Sequence, residues 1–214
     1  MAHGRFMKRT LAIILGAVIS GAFGCAAVDT ARTQPAPGEA VAESPRLVPG
    51  DAWTWSTHVE KFLGEEGGLL VFQIPVGEYV AKRYRTKDLN LVKDVQGERI
   101  TQLRDPHSGF LSFPLFVGKA WSHSYKNREL SGDVLRQASY RVAAYEQVTV
   151  TAGTFRAFRV EGTDQRSDRR YPIVVSLWYA PEAKAIVKFD GVDGSNSQPI
   201  AGWQFQLVAY PHAR

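Results

Sequence analysis

Cysteine is almost missing from this chain: Cys25 is the only one among 214 residues. A disulfide within the fold is thereby excluded, and no Cys pair or His-x-His pair is present to build a metal site. The sequence also lacks a phosphate-binding loop, a dinucleotide fingerprint and a Gly-x-Ser-x-Gly nucleophile elbow, so it calls for no metal and no cofactor. Long apolar runs are scarce. The stretch Leu11–Phe23 covers 13 residues, short of the roughly 20 needed to span a bilayer as a helix. No segment of a dozen residues holds a 3.6-residue period, which leaves little room for amphipathic helices. Charge of one sign is never concentrated either. The whole chain is +5, but residues 1–24 hold three basic side chains and no acidic one, which leaves 23 basic against 21 acidic, or +2, for the rest. A surplus that small serves solubility and does not mark a polyanion-binding surface, so nucleic acid is not an expected partner.

What is present begins with an address. Arg5, Lys8 and Arg9 precede the apolar stretch Leu11–Ile19, and small residues follow at Ser20, Gly21, Ala22 and Gly24. A cationic start, a short apolar core and a small-residue end make a secretory signal, with either Met1 or Met7 as its start. Gly24 before Cys25 resembles a bacterial lipoprotein signal, in which the cysteine after the cut is acylated. Ala22 and Phe23 depart from the usual pattern of that signal, and a plain signal peptide cut after Gly24 or Ala27 is the rival reading. The resemblance implies lipidation at Cys25 and a membrane partner through the lipid. With Ala26 next, it implies an outer-membrane location facing the periplasm; the alternative is a soluble periplasmic or secreted protein. The expected organisation is therefore a signal peptide over 1–24, a lipidated cysteine and flexible tether over 25–46, and one domain over 47–214. The tether reading rests on three prolines, no aromatic residue and no apolar period in 26–46.

From Leu47 onward the texture is that of strands. Trp53, Trp55, Thr57 and Val59 alternate with Thr54, Ser56 and His58, and Trp203, Phe205 and Leu207 alternate with Gln204 and Gln206. The segment 171–180 is apolar on both faces, which predicts a central strand covered on both sides. Further strands are expected near 69–74, 78–86, 89–95, 98–104, 119–128, 134–147, 154–162 and 185–190, with 134–147 the weakest and open to a helical turn. Glycine, proline and asparagine clusters supply the reversals between them. The expected fold is all-β: one domain of curved antiparallel sheet, a half or open β-barrel. Gly50-x-Ala52-Trp53 is echoed by Gly118-x-Ala120-Trp121. The plain reading of that echo is a glycine that bends the chain into a strand and a tryptophan that anchors the core; duplication of a half-domain is the alternative.

Three stretches, Phe113–Tyr125, Tyr145–Gly162 and Leu177–Phe189, together resemble a family of bacterial envelope lipoprotein β-domains. Its pattern is an apolar-Gly-x-x-Trp entry, a Glu-x-Val-x-Val-x-Ala-Gly-Thr-Phe segment and a Trp-Tyr-Ala-Pro turn. Thr151 stands where that family more often has proline. The resemblance implies a curved antiparallel sheet, distantly similar to the half-barrels of lipoprotein carriers, and it implies no catalytic residues.

Chemistry is thin on the ground. Asp105, His107 and Ser108 share the stretch "DPHSG", but neighbours in one loop rarely form a triad, and Asp, Pro and Gly at those spacings describe a turn. His58 and Glu60 would share a strand face, with His107 or His123 able to approach them. The positive feature is five tryptophans, Trp53, Trp55, Trp121, Trp178 and Trp203, which could line a concave apolar site or fill the core. The expectation is a non-catalytic envelope module that binds an apolar ligand or a protein partner. The alternatives are an accessory protein with no pocket and, at a distance, a hydrolase using His107.

Overall fold

The computed structural model describes Met1, residues 31–129 and residues 132–211. Cys25, and all of the expected signal peptide except Met1, lie outside those residues. Among the described residues there is no helix. The chain runs through β1 (Ala52–Trp55), β2 (Val59–Glu66), β3 (Leu69–Val76), β4 (Tyr79–Arg85), β5 (Leu91–Gln96), β6 (Arg99–Asp105), β7 (Ala120–Glu129), β8 (Gly132–Val150), β9 (Gly153–Arg166), β10 (Ile173–Ala180), β11 (Ala185–Asp193) and β12 (Pro199–Ala209). Each strand pairs antiparallel with the next, and β1 returns to β12 through Thr54↔Ala209 and Trp55↔Leu207. The sheet is therefore a closed barrel, which corrects the expected open or half barrel. Closure follows from strand tilt and stagger, which inward–outward alternation does not encode. It also removes the unpaired edges an open sheet would expose.

Local chemistry sets the hairpins. Gly67 and Gly68 both take positive φ, +57° and +80°, as a two-residue turn between β2 and β3 requires at both central positions. The weakest strand expectation, 134–147, lies inside β8, whose 19 residues make it the longest strand. Its inward residues alternate cleanly over Val134, Arg136, Ala138, Tyr140 and Val142. Across β8 to β11, Val142, Val160, Val175, Leu177 and Val187 are all fully buried, so this wall is close-packed. The expectation that 171–180 is covered on both faces is corrected: Val174 is 39% exposed and faces out, as a closed barrel demands. The outward surface is charged. Arg141 pairs in register with Glu161, and Trp178 sits between Arg159 and Lys188. A membrane-spanning barrel would carry an apolar outward band instead.

The two ends differ. One receives the long β6–β7 connection, residues 106–119, whose Leu115 and Phe116 are buried. Leu115 exchanges two backbone hydrogen bonds with Ala42, at 2.8 and 3.0 Å. Arg32 pairs with Glu39 at 2.8 Å and donates to the Val117 carbonyl at 3.0 Å. Residues 32–42, part of the stretch expected as flexible tether, thus run against this end of the barrel.

Candidate functional site: a lumenal cavity

A cavity of about 990 Å³ occupies the lumen. It is lined from β1 to β6, the 106–119 connection, the end of β7, and β11 and β12. Among the described residues, none of β8, β9 or β10 reaches it. The floor is Ser108, Phe110 and Leu111 with Leu89 beneath, and the opposite end opens past Val76 and Ile100, which are 45% and 43% exposed.

The floor is held by backbone-directed hydrogen bonds. Ser108 N–H donates to the Leu91 carbonyl at 3.0 Å, and Leu91 N–H donates back to Ser108 Oγ at 3.1 Å. Asn90 Nδ2 donates to the Leu111 carbonyl at 2.7 Å while its Oδ1 accepts Leu111 N–H at 3.0 Å. Gly109 has φ +71°, and a Cβ there would sit 2.4 Å from the His123 ring. Only glycine lets the loop close onto that histidine.

One side of the cavity is aromatic. Phe110 packs edge-on to Phe189 at 5.3 Å and to Trp203 at 6.0 Å, and Phe189 stacks on Phe205 at 5.2 Å. Trp53 Nε1 donates to the Ala183 carbonyl and Trp55 Nε1 to the Ile186 carbonyl, each at 2.8 Å. Their polar edges are thereby satisfied, which leaves the rings as apolar lining.

The other side is charged, and sheet register explains how. Glu60 lies opposite Trp53, Arg83 lies opposite Phe72 and Asp94, and Asp94 lies opposite Gln102. Residues opposite one another share a face, so this belt points inward from strand to strand. Arg83 grips Asp94 with two hydrogen bonds of 2.8 and 2.9 Å and reaches Glu60 at 2.6 Å. Arg85 adds 2.7 Å to Glu60, and His58 Nε2 lies 3.2 Å from the same carboxylate. Burial alone would raise the Glu60 carboxyl, but Arg85, His58 and Arg83 outweigh it and hold it well below the usual carboxylate range.

Arg104 breaks this pattern of pairing. It follows Gln102 by two residues and so leaves the same lumenal face of β6. Its Nε has no hydrogen-bond partner, and among the described residues no carboxylate pairs with it. The Asp164 carboxylate behind it is taken by Arg136 at 2.8 Å and by the Tyr125 hydroxyl at 2.7 Å. Burial pushes the Arg104 guanidinium down, Arg136 and Arg83 push the same way, and Tyr125 and Asp164 oppose them.

The residues singled out from sequence scatter among these features. Trp53, Trp55 and Trp203 line the cavity. Trp121 instead lies along a separate cleft beside the loop, its Nε1 donating to the Gly109 carbonyl at 2.9 Å. Trp178 is outside the barrel, bonded to Glu146 at 2.9 Å with Lys188 over its ring. The echoed Gly-x-Ala-Trp motifs therefore each place an indole N–H on a loop carbonyl, as core anchors do. His107 stacks on His123 at 4.3 Å along the separate cleft, whereas His58 and Glu60 line the lumenal cavity. Ser108 Oγ accepts from Leu91 N–H. Arg83, Arg85, Asp94 and Arg104 escaped the sequence reading, although Arg83 and Arg85 alternate within one strand and so had to share a face.

No family model matches the chain, so the resemblance to envelope lipoprotein β-domains stands on its three motifs alone. No curated protein matches it. A solved structure of a candidate lipoprotein from Parabacteroides distasonis is 11% identical, with a TM-score of 0.41, and the match covers 79% of this chain and 99% of that one. Likeness at that level carries no reading of function.

Proposed function

We propose that the barrel is a non-catalytic binding module that holds a small, largely apolar molecule in its lumen, displayed on the envelope by a lipid on Cys25. The cavity carries this reading. Eight strands make a barrel just wide enough for side chains to fill. Twelve leave room, and here about 990 Å³ stays open beside an aromatic wall. That volume lies near the top of the roughly 300–1,000 Å³ typical of small-molecule sites. A site with these dimensions favours binding over an accessory role without a pocket. Catalysis finds less support, since Ser108, the serine that shares a loop with Asp105 and His107, has its Oγ engaged by the backbone. The outer membrane, facing the periplasm, is the proposed location, from the residues around Cys25.

The test uses N-phenyl-1-naphthylamine, a neutral apolar dye. Saturable binding at one dye per chain, with energy transfer from tryptophan, is expected. A signal that never saturates would overturn the reading. The address is tested separately: Cys25→Ser should move the protein to the soluble fraction, and unchanged membrane retention would sink lipidation.

A further inference from the structure

We infer that the lumen takes an amphiphile with an anionic head, a carboxylate or phosphate on an apolar body, and that Arg104 receives the head. This rests on the lumen being a ligand site. Of the charged residues that line the cavity, Glu129, Arg128 and Lys184 face Arg166, Asp133 and Asp51, and Arg99 is exposed, which leaves two carboxylates, Glu60 and Asp94, and three guanidiniums, Arg83, Arg85 and Arg104. Glu60 and Asp94 are saturated by Arg83 and Arg85, through contacts of 2.6 to 2.9 Å. Arg104 is the surplus cation. Behind the wall, Arg136 and Tyr125 consume Asp164, so no protein carboxylate is left over for it.

An enclosed guanidinium without an anion is costly, because burial penalises a charge that has no partner. A fork of N–H donors facing a cavity matches a carboxylate or phosphate in a way a neutral alcohol cannot match. The surroundings fit the rest of such a molecule. Phe110 lies beneath the Arg104 guanidinium, 5.8 Å from ring centroid to Cζ, and continues into the cluster of Phe189 and Trp203. A head on Arg104 therefore places its apolar body against the aromatic wall. Apolar Val76 and Ile100 at the opening give that body a route in.

Displacement of bound N-phenyl-1-naphthylamine from the full-length protein by decanoate, decyl phosphate and decanol tests this. The three share a chain and differ in the head. Decanoate or decyl phosphate should displace the dye at least tenfold more tightly than decanol, and whichever is tighter identifies the head. In Arg104→Met the acid and alcohol affinities should converge to within about twofold, and Arg104→Lys should keep part of the gap. Equal affinities of all three in the wild-type protein would overturn the inference while leaving the lumen a ligand site. Failure of the dye itself to bind would overturn the lumen reading on which the inference rests. The wild-type comparison needs no variant to fold.

Discussion

Two walls of one continuous sheet behave as different materials. From β8 to β10 the inward residues include Val142, Val160, Val175 and Leu177, all fully buried in one hydrophobic cluster, with the buried Arg136–Asp164 pair at one end of β8 and β9. From β2 to β6 the inward positions include Glu60, Arg83, Arg85, Asp94 and Arg104, and the space in front of them is open. The first wall stabilises by removing apolar area from water, about 25 cal/mol per Å². The second does so only in part, through residues such as Phe62 and Phe72. Its charged positions are held by pairing, whose Coulombic gain is largely offset by desolvation. The difference teaches that this barrel concentrates stability on one side and spends the other on a cavity.

The sharpest way to break the charged wall is at its centre. Glu60→Ala leaves Arg83 and Arg85 enclosed without their shared carboxylate, and removing one partner of a buried pair costs about 3–5 kcal/mol. Urea denaturation should show a loss of that size. The same carboxylate predicts acid sensitivity. Its folded-state pKa is depressed, so its stabilisation is fully present above its ordinary value of 4.5 and fades as pH falls below that. Urea midpoints measured from pH 7 down to pH 3 should drop more steeply in the wild type than in Glu60→Gln; parallel curves would remove Glu60 from that account.

Leu177→Ala attacks the dry wall instead. Deleting a buried leucine side chain costs about 2–5 kcal/mol, depending on how far the cavity collapses. Leu177 does not line the lumenal cavity, so dye binding by the folded variant should stay within twofold of wild type. A large loss of binding at unchanged fold would show that the two walls are coupled and not separate. Arg104→Met should do the reverse. It removes an unpaired charge, so unliganded stability should change by less than about 1 kcal/mol, and toward greater stability if it moves.

The same contrast explains what could be read from residues alone. The apolar faces are legible because burial imposes a period of two: Trp203, Phe205 and Leu207 announce their shared face from sequence alone. The charged belt is not legible, because Arg83 and Arg85 alternate just as solvated residues would. Whether such a face points out or in depends on closure, and closure depends on β1 meeting β12 across more than 150 residues of chain. The tryptophans mislead for a related reason. Aromatic residues suit either face of a strand, so composition alone cannot separate lumenal Trp55 from external Trp178.

The smallest expected effect lies at the junction of the floor with the β7 strand. His107 stacks on His123 at 4.3 Å, and its Nδ1 has no hydrogen-bond partner. His123 Nε2 must be the donor in its 2.8 Å contact with the His107 carbonyl, since a carbonyl only accepts. Burial lowers the His107 pKa below 6.5 and repulsion from His123 adds to it, while Asp88 opposes both. The unfolded chain therefore takes up a proton near pH 6.5 that the folded loop refuses. Stability must rise with pH through the window just below 6.5 and fall on acidification through it. Thermal midpoints at pH 5.5 and 7.5 should differ by less in His107→Gln than in the wild type, because the variant has no imidazole there to charge. The floor of the cavity is built from this loop, so dye affinity should weaken slightly at the lower pH in the wild type and less so in the variant. Identical pH responses of the two proteins would place the loop's stability elsewhere, on Asn90 and Ser108 and not on the histidine stack.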